Sequence, residues 1–170
     1  MKNTGTLKLT TPSEREIMMT RVFNAPRHLV FEAFTKPELL KRWLLGPPGW
    51  AMVVCEVATK VGDRYRYEWR HENGTQFGMG GLCREFVPPE RIVCTELMDG
   101  YQSEALVTTL LAEQGGQTTL TTIVRYESQE IRDMMLKTGM ERGVAASYDR
   151  LAELLESADA DSKARGATEP

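Results

Sequence analysis

The chain has little of what nucleophilic, metal or redox chemistry asks for: three cysteines and two histidines among 170 residues. Cys55, Cys83 and Cys94 are an odd number, at spacings that match neither a CxxC pair nor a zinc framework. All three fall in strand-like runs, away from the basic or helix-N-terminal settings that activate a thiol, and read as small buried hydrophobes. His28 falls at a helix start and His71 beside a hairpin turn, so neither sits beside a sequence-evident nucleophile. No His/Asp/Glu cluster has ligand spacing and no organic cofactor motif is visible, so no metal and no cofactor are expected. Nowhere do 18 apolar residues run together, and Met1 to Gly5 lead into a polar stretch without the apolar core of a signal peptide. No membrane role and a cytoplasmic location are the expectation. Charge of one sign is also missing: 21 basic and 24 acidic residues are interspersed and sum to −3, which recruits no nucleic acid.

What is present is enough apolar material, 41% of residues, to bury one core and leave room for a cavity. Residues 1–13 and 158–170 lack periodicity and read as flexible or disordered tails around one domain, 14–157. Residues 14–23 read as a strand, ended by Asn24-Ala25-Pro26. Pro26 and Pro37 each suit the first turn of a short helix, the first burying Val30, Phe31 and Phe34, the second Leu39, Leu40 and Trp43. Gly46-Pro47-Pro48-Gly49 closes the pair. Strands follow at 52–59, 65–70, 75–87, 91–98, 104–112 and 118–126, with links short enough for an antiparallel meander. Asn73-Gly74 is a good type I′ hairpin signal and Gly115-Gly116 a weaker one. Gly78, Gly80 and Gly81 lie between strands and predict a bulge or tight bend rather than a phosphate loop.

The last element, 128–156, carries a helical stripe of Leu136, Met140, Gly143, Val144, Ser147, Leu151 and Leu154. Ile131, Met134 and Met135 are out of phase with it, which predicts a break near Gly139. Along Tyr65-Arg66-Tyr67-Glu68-Trp69-Arg70, rings and charges alternate, so one sheet face is wet and the other must be covered. Only the final helix is long enough to cover it, and one helix about 10 Å wide cannot fill six or seven strands at about 4.8 Å each. The fold class is therefore α+β, a curved antiparallel sheet of six to seven strands around a long C-terminal helix, with two short helices after the first strand. A cavity should remain, walled by Tyr65, Tyr67, Trp69, Phe77 and Met79, faced by Leu136, Met140, Val144, Ser147 and Leu151, with Trp43 at one end. Any one of these could equally be plain core filling.

Three stretches carry a resemblance. Arg21-Val22-Phe23-Asn24-Ala25-Pro26, then Val30-Phe31-Glu32-Ala33-Phe34-Thr35-Lys36-Pro37-Glu38-Leu39 ahead of Trp43, then Glu85-Phe86-Val87-Pro88-Pro89-Glu90-Arg91-Ile92-Val93 are similar to the bacterial proteins that resemble the C-terminal domain of the activator of the heat-shock-protein-90 ATPase. These belong to the START or birch-pollen-allergen (SRPBCC) superfamily. The likeness runs from about Arg15 to Leu155 and implies the helix-grip fold. It implies binding of an apolar molecule in a cavity, with a few relatives acting as cyclases or hydratases; fold alone does not choose between these. Ala58, Val61-Gly62-Asp63 and Val144 depart from the family pattern, the last where a Trp commonly follows the glycine. The full co-chaperone carries a separate N-terminal domain for which this chain is too short, so a chaperone partner is not expected.

Three functions follow as expectations. The first is a binding protein for a small apolar or amphipathic ligand. The second is a cyclase- or hydratase-type enzyme using one tyrosine or one of Glu56, Glu68, Glu96 and Glu104, favoured if a titratable group lies buried beside open space. The third is a co-chaperone-like interaction protein. An exposed edge strand or apolar patch would leave a homodimer open.

Overall fold

Alternation along the strands builds one eight-stranded antiparallel sheet in the computed structural model, which describes residues 6–167. The elements run β1 (Lys8–Thr10), β2 (Glu16–Phe23), α1 (Arg27–Thr35), α2 (Pro37–Trp43), β3 (Trp50–Glu56), β4 (Arg64–His71), β5 (Gln76–Val87), β6 (Arg91–Met98), β7 (Ala105–Gln114), β8 (Gln117–Arg125), α3 (Gln129–Leu136) and α4 (Met140–Gly166). Spatial order is β1-β2-β8-β7-β6-β5-β4-β3. A meander from β3 to β8 is therefore completed by β2 returning beside β8, with β1 as an added edge.

The register lines up one inward-facing row per strand. Met19 pairs with Thr122, Thr122 with Thr109, Thr109 with Ile92, and Tyr67 with both Met79 and Cys55. Because side chains alternate with period two, each such pairing commits the whole strand to one face. α4 crosses that face and is tied at its middle. Arg21, 3% exposed and stacked over Phe23, donates to Asp149 Oδ1 at 2.6 Å, and Arg150 donates to the carbonyl of Gly46 at 2.6 Å. α1 and α2 close one end of the grip around Phe23, Val30, Leu40, Trp43, Leu120 and Leu151. There Trp43 donates its ring N–H to the Ala33 carbonyl at 2.9 Å.

The boundaries differ from expectation at both ends. Lys8–Thr10, expected in the N-terminal tail, pairs with Thr20 to Met18, since backbone pairing to an open edge needs no side-chain pattern. α4 runs past the expected helix end at 156 to Gly166, with Lys163 pairing Asp159 one turn back; the composition that read as a tail also suits a solvated helix. The parts of the expected tails at 1–5 and 168–170 lie outside the described residues.

The turns also exchange roles. Between β4 and β5 only Gly74 has a positive φ, 91°, and His71 pairs through its N–H with the Thr75 carbonyl. The link is thus a three-residue loop rather than the type I′ turn, which needs positive φ at both central positions. Gly115 and Gly116 have φ of 60° and 78° between the paired Gln114 and Gln117, the I′ arrangement. Gly78, Gly80 and Gly81 lie inside β5, with the bulge further on, between Cys83 and Glu85. Gly81 is required by close approach, because a Cβ there would collide with the Thr95 carbonyl.

Candidate functional site

The inward rows do not meet α4 everywhere, and a cavity of about 730 Å³ lies between them. Its sheet wall begins with the aromatic strand: Tyr65 and Trp69 are buried and Tyr67 half-buried, in ring contact at 5.1 and 6.0 Å. Trp69 stacks on Phe77 at 5.6 Å. These rings are fixed by their polar atoms. Tyr65 donates to the Thr95 carbonyl at 2.7 Å and Trp69 to the Leu44 carbonyl at 2.7 Å. Tyr67 is the exception, for its hydroxyl has no protein partner among the described residues. Burial holds the Tyr65 and Tyr67 hydroxyls well above the usual phenol range, so both are donors and not phenolates.

Nine of the eleven residues expected at the cavity line it: Trp43, Tyr65, Tyr67, Trp69, Phe77, Met79, Met140, Val144 and Ser147. Leu136 and Leu151 do not. Leu151 is fully buried in the core under α1 and α2 with Phe23 and Leu120. Leu136 packs in a second core with Ile17 and Val124. The reason is the break at Gly139, φ 77°. It ends α3 and restarts α4 on a new axis, so Met135 rather than Leu136 presents to the cavity. Ser147 accepts from the Gly46 N–H at 2.9 Å, which fixes the α2–β3 link at the rim and occupies part of its bonding capacity.

The sequence left most of the far wall unread: Met19, Ile92, Cys94, Met98, Val107, Thr109, Thr122, Val124 and Tyr126 line it, together with Tyr148, a tyrosine the sequence offered as a ligand contact, and Glu96, one of the four carboxylates it could not place. Tyr148 shares a 3.1 Å hydrogen bond with Thr122. Cys94 is pushed up to about 12 by burial and stays a thiol. Glu96 is the one acidic residue among those lining the cavity, and no lysine, arginine or histidine lines it. Among the described residues Glu96 has no hydrogen-bond or ion-pair partner, and burial raises its carboxyl to about 7. Both alternations of β6 mix apolar and polar residues, Ile92-Cys94-Glu96-Met98 and Arg91-Val93-Thr95-Leu97, so strand parity alone could not turn Glu96 inward. Register could: Glu96 pairs with Ala105, whose row continues as Val107, Thr109 and Leu111.

A smaller cavity of about 220 Å³ adjoins the first under α3 and the 99–104 loop, and the two share Glu96, Met98, Tyr126 and Met135. Among the described residues no group of three or more His, Cys, Asp or Glu could hold a metal ion, and no helix is long and apolar enough to cross a membrane.

A family model described as Activator of Hsp90 ATPase homolog 1-like protein matches residues 24–156. A crystal structure of a protein from Rhodobacter sphaeroides is similar over 90% of this chain and 99% of its own, at 29% identity and TM-score 0.86. One from Chromobacterium violaceum is similar over 85% and 99%, at 29% identity and TM-score 0.72. An AHSA1 protein from Silicibacter pomeroyi, at 17% identity and TM-score 0.68, shares the fold over 83% of this chain and 97% of its own. No curated protein matches the chain.

Proposed function

Because the chain belongs to the Activator of Hsp90 ATPase homolog 1-like family, a helix-grip fold suited in general to holding a ligand, we propose that it binds one small apolar or amphipathic molecule in the cavity between sheet and α4. The observation that carries this is the cavity itself. Close packing normally leaves few voids larger than a water, whereas here about 730 Å³ is walled mainly by rings, thioethers and aliphatic chains. That volume lies within the range of small-molecule sites. A few polar groups converge on it, among them the Tyr67 hydroxyl and the Glu96 carboxyl, enough to orient a ligand. Extraction of the purified protein followed by mass spectrometry, or density in a crystal, should reveal one bound organic molecule per chain; a solvent-filled or collapsed interior with nothing retained would overturn the reading.

A second reading, proton-transfer catalysis of the cyclase or hydratase kind, is favoured by Glu96. A carboxyl raised to about 7 beside open space is poised to give or take a proton at neutral pH. The readings part at the fate of the ligand. Binding returns it unchanged; catalysis converts it, and conversion is lost in Glu96→Gln.

A further inference from the structure

From the isolation of Glu96 at the junction of the two cavities, we propose that the ligand carries a basic nitrogen, an amine or amidine on an apolar body, whose cationic head pairs with the Glu96 carboxylate. This rests on the binding reading above and names the ligand class of the same site. The geometry is asymmetric in charge. Glu96 projects from β6 into both cavities, and neither is lined by a lysine, arginine or histidine. The other titratable groups that line the two cavities are phenols and a thiol: Tyr65 and Tyr67 from β4, Cys94 from β6 itself, Tyr126 beyond β8, Tyr101 from the 99–104 loop and Tyr148 from α4. α3 contributes only Ile131, Met134 and Met135, and β7 only Ala105, Val107 and Thr109.

The room beside it is that of the two cavities, both of which Glu96 lines. A buried carboxylate without a counter-charge is costly, and a cation delivered with its own apolar body removes that cost while filling the cavity. An anionic ligand would instead meet like charge, and a neutral one would leave the carboxylate unmatched. Since burial already raises the carboxyl to about 7, cation binding must favour its ionised form and release a proton, so affinity for an amine rises with pH through this range.

The test is a matched set of decylamine, decanol and decanoate, titrated by calorimetry against the whole chain and against Glu96→Gln and Glu96→Met. At pH 8 decylamine should bind at least tenfold more tightly than decanol, and decanoate most weakly. Between pH 8 and pH 5.5 decylamine should weaken at least fivefold while decanol does not weaken. In both variants, first shown to be folded by circular dichroism, the amine preference over decanol should fall to within about twofold. Equal affinity for amine and alcohol in the unaltered protein, or an amine preference that survives in either variant, would overturn the proposal while leaving apolar binding intact. Failure of decanol and decylamine alike to bind would overturn both the proposal and the reading beneath it.

Discussion

Glu96 is where the chain departs most from what stability alone would select. Its carboxyl ionises near 7 when folded against an ordinary value of 4.5, so the folded state holds its proton more tightly than the unfolded chain does. Below about pH 4.5 the group is neutral in both states and costs nothing. As pH rises the unfolded chain ionises first, the cost grows, and it is complete above about 7. Glu96→Gln should therefore stabilise the empty protein at pH 8 by about 1–2 kcal/mol, less than the full shift implies because the group opens onto a cavity. At pH 5 the gain should be much smaller. Thermal unfolding at the two values checks this, and a variant destabilised at pH 8 would show that Glu96 has a structural partner. The tyrosines make a paired case. Tyr65→Phe removes a buried hydrogen bond to the Thr95 carbonyl, for about 1–2 kcal/mol lost, whereas Tyr67→Phe removes a hydroxyl with no protein partner and should change stability by less than about 0.5 kcal/mol. Urea unfolding of the two distinguishes a structural hydroxyl from one held for a ligand.

The α3–α4 break decides which helical residues face the cavity. Gly139 adopts φ 77° with nothing within 4 Å of a would-be Cβ, so Gly139→Ala meets no clash and tests backbone strain alone. A loss of about 1 kcal/mol is expected by chemical denaturation, and no loss would mean that another backbone path joins the helices. The break itself was legible, because Ile131, Met134 and Met135 cannot share a stripe with Met140 and Val144. Its consequence was not: a periodicity argument carries one axis through the element, and a change of axis moved Met135 in and Leu136 out. The aromatic wall of β4 was legible for the opposite reason, since ring and charge alternate and only one face can be dry. β6 was illegible because both its faces mix apolar with polar residues, and with it went Glu96, whose inward turn is fixed by pairing with β7 rather than by its neighbours in sequence. Turn chemistry misled at Asn73-Gly74 because the hairpin takes an extra residue, which no dipeptide signal encodes.

At the scale of the molecule, the sheet, the two short helices and α4 enclose more space than their side chains fill, and the account holds that this space takes a ligand. Val144 lines it near the start of α4, beside Gly143, where a Cβ would come into contact with Pro47 of the rim. A tryptophan there would project into open volume rather than into packed core, so Val144→Trp can occupy the cavity without strain elsewhere. The most direct measurement is fluorescence titration with Nile red, a neutral apolar dye, of the unaltered protein and of Val144→Trp, both first shown to be folded by circular dichroism. The account expects saturable binding at one dye per chain in the unaltered protein and at least tenfold weaker binding in the variant. Absence of saturable binding in the unaltered protein, or equal affinity in both, would contradict it.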